Sequence, residues 1–291
     1  MDKFQDILLE EILDHYIIET YQSISEIKNL ASDVIKKIAE NNMQRVKDGE
    51  KITHLYGIYL NEIDSNKYDE IKDFIDESNI AISINDKWSH NSKGSYSVIM
   101  SKDKHEFNPK LGREIDIYVN KIVELYSKIN KKIEENPDYN EQDLYFDLFY
   151  EVYDALIHEL QHAYDDFRSK NKVYQSKQFN KYREKYMQGV EDNIDQEIKK
   201  NVKYLNLPHE IWARFSQAMY RVNFVTWDRE RSKEDFLFKM KPIKDVVNEF
   251  KYEFNGFKLL SDKMKRKLIN KVVQFWHYEA EKLKKENKNK K

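Results

Sequence analysis

The sequence predicts a mostly helical α+β fold with one small mixed sheet. Apolar residues recur at steps of three and four over long stretches, which indicates helices, whereas residues 52–118 carry short alternating or β-branched runs typical of strands. The presence of only 6 Gly and 4 Pro in 291 residues argues against a turn-rich all-β sandwich and favours long helices. The 20 Tyr, 15 Phe and 4 Trp exclude a fully disordered chain.

The first half of the chain predicts a packing helix, then the sheet, then a second helix. The first helix spans residues 3–48, and Gly49 is a plausible stop for it. Three or four strands follow, in the runs 52–61, 79–84, 95–100 and 114–119. The second helix runs from Asn120 to Glu134 and ends before Pro137.

The second half predicts three further helices. A strong one covers residues 141–170, and another opens at Pro208 and runs to about Val225. Between them, residues 171–203 are polar and form a candidate flap with helical pieces. Ser261 is the expected N-cap of a last helix reaching about Lys285. The expected segments are therefore 1–50 (N-terminal helical), 51–225 (core) and 226–291 (C-terminal helical with a basic tail).

The charge balance and the absence of cysteine exclude several functional classes. The 50 basic and 52 acidic side chains give a formal net charge of -2, so no global field favours nucleic acid or membranes. The Lys-rich tail over residues 282–291 is read as a solvated helix end, with RNA or DNA binding left open. Without Cys, disulfides, thiol catalysis and Cys-ligated metal sites are excluded.

One motif carries chemistry, the HELQH sequence at residues 158–162. Residues four apart share one helix face, so His158 and His162 can present two imidazole nitrogens to one metal ion. Glu159 would sit beside that ion, where its carboxylate can take a proton from a metal-bound water. An HExxH motif should arise by chance about 0.02 times in such a chain. The alternative is a pair of histidines at the edge of the core.

A catalytic zinc site needs a third protein ligand and an open position. Glu210 is the preferred candidate, because it falls in the first turn of a helix opened by Pro208, where a carboxylate is favoured. Ala213, one turn on, is small enough for close helix packing. His209 competes for the same role, but adjacent helical residues point about 100° apart, so only one of the two should face the metal.

This pairing resembles the gluzincin branch of the zincin metallopeptidases. HExxH followed by ExxA on a later helix carries the resemblance, and the later Pro-x-Glu-x-x-Ala-Arg is similar to zincin-like peptidases often encoded by bacteriophages. The resemblance covers roughly residues 150–220. It implies a zincin-like core, with the sheet packed on the HExxH helix. It also implies Zn²⁺ bound by His158, His162 and Glu210, with Glu159 as general base.

The sequence departs from related patterns at two positions. Arg168 stands where metzincins carry a third His, and Arg214 occupies the place where many gluzincins carry an acid that orients a ligating His. Asp165 or Asp166 could orient an imidazole or pair with Arg214 instead. Possible oxyanion donors are Tyr164, Tyr204 and Tyr220.

The expected function is hydrolysis of peptide bonds by a zinc-dependent endopeptidase. A protein or peptide is the expected substrate, bound in extended form by a strand, either Tyr96–Met100 or Ile115–Val119. The alternative is a non-catalytic zincin-like structural or virion-associated protein. No signal peptide or membrane-spanning run is predicted, so the expected location is a cytoplasm, or the host cytoplasm or virion for a phage protein. The oligomeric state is not predicted.

Overall fold

The computed structural model describes residues 21–86, 94–98, 112–168, 208–227, 238–254 and 256–289. Backbone contacts divide the chain into two compact units, Gln22–Glu184 and a second made of Met1–Tyr21 with Lys185–Lys291. The segments expected from the sequence, with boundaries at residues 50 and 225, stay predictions. The described residues are mostly helical and include a small mixed sheet, which confirms the α+β class.

The first unit opens with helix α1, Tyr21–Lys47. One face of α1 is buried, and its aliphatic side chains include Ile27, Leu30, Val34 and Ile38. The helix ends as predicted: Gly49 takes a left-handed φ of 88°, its N–H donates to the Val46 carbonyl, and the next N–H donates to the Arg45 carbonyl. The predicted residues 3–20 of this helix lie outside the described ranges.

The four-stranded sheet of this unit has the strand order β1-β2-β4-β3. Its strands are β1 (Ile58–Tyr59), β2 (Ile80–Asp86), β3 (Gly94–Val98) and β4 (Arg113–Val119). β2 and β4 are parallel, and the other two pairings are antiparallel. Alternation sends Ile82, Ile84, Ile115 and Ile117 to the buried face. The sequence therefore predicted the strands well, except that the run 52–61 forms only two strand residues.

Three further helices of the first unit lie within the described residues. They are α2 (Lys72–Glu77), α3 (Ile122–Glu135) and α4 (Glu141–Arg168). Helix α4 packs on β3 and β4 and buries a broad face with Leu148, Val152, Leu156 and Leu160. The predicted bounds of α3 and α4 are confirmed within a few residues, whereas α2 was not predicted.

The second unit contains three described helices and a hairpin. These are α5 (Pro208–Arg221), β5 (Val225–Trp227), β6 (Phe238–Met240), α6 (Ile243–Glu253) and α7 (Asp262–Asn289). Its core is aromatic: Phe215 stacks on Trp212 with ring centroids 4.9 Å apart and contacts Phe250 and Phe275. The Ser261 hydroxyl accepts the Met264 N–H, so the predicted N-cap of α7 is confirmed.

Two expectations about this part of the chain need comment. Helix α5 begins at Pro208 as predicted, but its predicted extension to Val225 is wrong, because Val225 belongs to β5 and pairs with Met240. The predicted flap over residues 171–203 lies outside the described residues. Within the described part of the chain, no helix is long and apolar enough to cross a membrane.

Candidate metal centre

The HExxH motif lies in the C-terminal half of helix α4. The Nε2 atoms of His158 and His162 lie 3.1 Å apart, with the two ring planes perpendicular and the centroids 4.6 Å apart. Two nitrogens bound to one tetrahedral zinc at its usual bond length would lie about 3.3 Å apart. The two imidazoles therefore face each other at a spacing that suits a shared ion.

The motif is embedded in a buried part of the helix. Its uncharged neighbours Leu156, Ile157, Leu160, Gln161 and Ala163 are all buried. His162 is 5% exposed and Glu159 is 7% exposed, whereas His158 is partly accessible. The motif therefore lies within a buried stretch of the helix, with the His158 imidazole closer to solvent than that of His162.

Glu159 lies against the edge strand of the sheet. A methyl group placed on Gly94 of β3 would come within 2.9 Å of the Glu159 Cγ and 3.0 Å of its Oε1. The side chain thus occupies the space that a Cβ at position 94 would need. This close approach fixes the Glu159 side chain against strand β3.

Glu210 lies in the first turn of α5, where the predicted helix opens at Pro208. It is 3% exposed, and its Oε2 lies 3.9 Å from the Arg214 Nε one turn on. An uncompensated carboxylate is costly to bury, so the guanidinium explains in part how Glu210 remains in the interior. Ala213 is fully buried, as its size suggested. The competing side chain of His209 lies outside the described residues.

His158, His162 and Glu210 each offer one ligand atom, and these atoms all lie within 4.8 Å of one another. Two imidazoles and one carboxylate form the donor set of many catalytic zinc sites. The group could therefore hold a metal ion. Among the described residues, no other group of His and acidic side chains meets this geometry.

A buried polar cluster lies one turn beyond the motif. The Tyr96 hydroxyl donates to the Asp166 Oδ2 at 2.8 Å, and the Arg113 Nε lies 3.5 Å from the same oxygen. Arg113 also donates to the Ser78 carbonyl. The cluster therefore ties helix α4 to strands β3 and β4.

Burial raises the pKa of Asp166, while its hydrogen bond with Tyr96 and the nearby Arg113 charge act in the opposite direction. Burial and the neighbouring carboxylate raise the pKa of Tyr96. Asp166 was expected to orient an imidazole or pair with Arg214. Asp166 contacts Tyr96 and Arg113 of the sheet, and Asp165 accepts a hydrogen bond from Gln161. That one of these acids orients an imidazole or pairs with Arg214 stays a prediction.

Sequence reasoning did not single out Arg113 or Gly94. The signal for Arg113 was its position at i−2 from Ile115 on the buried face of β4, where a charged residue needs a partner. The signal for Gly94 was a glycine in a strand, which often marks a close approach. Of the expected oxyanion donors, Tyr164 donates to the Glu70 carbonyl, and Tyr204 lies outside the described residues.

Comparison with protein-family models, with curated proteins and with solved structures finds no match to this chain. The resemblance to the zincins therefore depends on the HExxH and ExxA motifs. What the structure adds is the ligand group itself, formed by the residues that those motifs select.

Proposed function

We propose that this chain is a zinc-dependent endopeptidase with a gluzincin-type site in a zincin-like core. The observation that carries the proposal is the group His158, His162 and Glu210, with their ligand atoms within 4.8 Å of one another. Glu159 follows His158 in the sequence and is largely buried, and we assign it the role of general base for a water in the same site. Four residues from two motifs thus supply both a ligand set and a base.

Zinc bound there would supply a Lewis acid that polarises the peptide carbonyl and makes water more acidic. The protein contributes the proton transfers. Glu159 accepts a proton from the attacking water and later delivers it to the leaving amine, so the carboxylate is regenerated at the end of the cycle. Because Glu159 is screened from bulk solvent, its charge acts on the reacting atoms with little competition from water.

Strand β3 is the better of the two expected substrate strands. β4 is paired on both sides, with β2 and with β3, so Ile115–Val119 cannot add another strand. Among the described strands, β3 pairs with β4 only, and its Gly94 adjoins Glu159. An extended peptide added to the outer edge of β3 by main-chain hydrogen bonds would pass beside the proposed base.

The decisive experiment separates metal binding from hydrolysis. Glu159→Gln should keep zinc at the wild-type stoichiometry and lower kcat by at least about 100-fold, because the general base is lost while the ligands remain. Metal analysis of purified protein and cleavage of a peptide library give the two readouts. Glu151→Gln is the matched control, since Glu151 lies on the exposed face of the same helix.

Two outcomes contradict the proposal. Hydrolysis retained by Glu159→Gln removes the base assignment. Wild-type protein that binds zinc but cleaves no peptide in the library would favour the alternative, a non-catalytic zincin-like structural or virion-associated protein.

A further inference from the structure

Strand β3 contacts helix α4 at two successive positions along one face of the strand. Gly94 and Tyr96 point to the same face of the strand, because alternate residues share a face. Glu159 and Asp166 lie about two turns apart on one face of the helix. Gly94 adjoins Glu159, and Tyr96 donates to Asp166, so the strand follows the helix past the HExxH motif.

The glycine at position 94 is not explained by its backbone conformation. Among the described glycines, those that adopt a left-handed φ are Gly49, Gly112 and Gly256, and Gly94 is not one of them. Glycine weakens the interior of a strand, so its presence needs another reason. The reason available is steric: a methyl group there would lie 2.9 Å from the Glu159 Cγ and 3.2 Å from the Ile117 Cδ1.

We infer that Gly94 is a positioning residue for Glu159, because the missing Cβ leaves the space that the side chain of the proposed base occupies. The expected effect of Gly94 on catalysis rests on the proposed function, whereas its steric effect on the Glu159 side chain does not. Without that space, the Glu159 side chain must turn away from the strand. A displacement of about 1 Å at a reacting group typically costs about 100-fold in rate.

The strand cannot easily retreat to make room for a larger residue. Its next inward-facing residue, Tyr96, is held at 2.8 Å from Asp166 by a buried hydrogen bond, and Arg113 on the neighbouring strand contacts the same carboxylate. On its other side β3 is in register with β4, with Gly94 opposite Ile117. The flexible Glu159 side chain is therefore the part that moves.

The test is Gly94→Ala with zinc bound. We expect kcat to fall about 100-fold while KM and zinc stoichiometry stay at wild-type values, because the ligands and the substrate strand are retained. Gly49→Ala is the matched control. It forces a left-handed φ on alanine, so it lowers Tm, yet no atom lies within 4 Å of the added methyl and kcat should not change.

A double-mutant cycle distinguishes positioning from a general loss of stability. Aspartate is one methylene shorter than glutamate, so Glu159→Asp is expected to cost less in the Gly94→Ala protein than in wild type. Independent effects, in which the two losses in kcat simply multiply, would overturn the inference. If Gly94→Ala fails to fold, the same comparison is made in Gly94→Ala/Ile117→Val, which removes the second close contact.

A crystal structure of the Gly94→Ala protein gives a readout that needs no activity. The Glu159 carboxylate should shift by about 1 Å or more, while the two Nε2 atoms of His158 and His162 keep their spacing. An unmoved carboxylate would overturn the inference even if activity fell. If the wild-type chain cleaves no peptide, the proposed function fails, and this structural comparison still decides the role of Gly94.

Discussion

Asp166 is an acid that the fold keeps almost wholly inside, with 1% of its surface exposed. Burial alone raises its pKa, so the charged form would be unfavourable without the hydroxyl of Tyr96 and the guanidinium of Arg113. Arg113 is itself largely buried, and it depends on the same contact. Removing either partner of such a pair leaves a charge in the interior, which costs more than the pair itself contributes.

We predict that two substitutions in this cluster lower the stability of the protein by different amounts. Asp166→Ala should lower the free energy of unfolding by about 3 kcal/mol or more, because the Arg113 charge stays buried without its carboxylate. Tyr96→Phe should cost only about 1 kcal/mol, since it removes one hydrogen bond and no charge. Urea unfolding of both variants provides the measurement. Equal decreases in the free energy of unfolding would show that the Asp166–Arg113 contact contributes little to stability.

At the scale of elements, Glu26 links α1 to the segment before α2. Its two carboxylate oxygens accept the backbone N–H groups of Asp69, Glu70 and Ile71. These N–H groups precede the first turn of α2, which has no side-chain cap of its own. A residue of α1 thus satisfies backbone donors more than forty positions away, which explains why α2 was not predictable from its local sequence.

Replacing Glu26 should therefore destabilise the protein more than replacing a more exposed glutamate of α1. We expect Glu26→Ala to lower the free energy of unfolding by about 2 kcal/mol, and Glu26→Gln by about half as much, because the amide keeps one acceptor oxygen. Glu40→Ala, on a more exposed part of the same helix, should change it by less than about 0.5 kcal/mol. Thermal or urea unfolding tests this order, and a similar cost for Glu40→Ala would contradict it.

The elements that sequence reasoning predicted are those whose signal is local. Apolar periodicity predicted the end of α1 and both ends of α3 and α4 within a few residues, and alternation identified β2 and β4. The short hairpin of β5 and β6 was missed because three-residue strands give too little alternation to distinguish them from a helix end. The spacing of His158 and His162 was likewise local, whereas the contacts of Tyr96, Arg113 and Asp166 join residues far apart in sequence.

For the whole molecule, a bound metal should contribute to stability, since a preformed ligand group exists only in the folded chain. At a free zinc concentration 100 times Kd the gain is about 2.7 kcal/mol, so chelation should lower Tm by several degrees. Glu210→Ala should abolish most of this zinc-dependent shift, whereas His209→Ala should leave it intact. Differential scanning calorimetry with and without chelator provides the measurement, and the reverse result would make His209 the third ligand.

The strand order has a consequence for how the chain is made. β4 lies between β2 and β3 although it is synthesised after both of them. Until Val119 has left the ribosome, one long edge of the isoleucine-rich β2 has no native partner, and such edges pair readily with other chains. Helix α4, which packs on β3 and β4, arrives later still. The nascent protein is thus most open to intermolecular mispairing between the translation of Asp86 and that of Arg168.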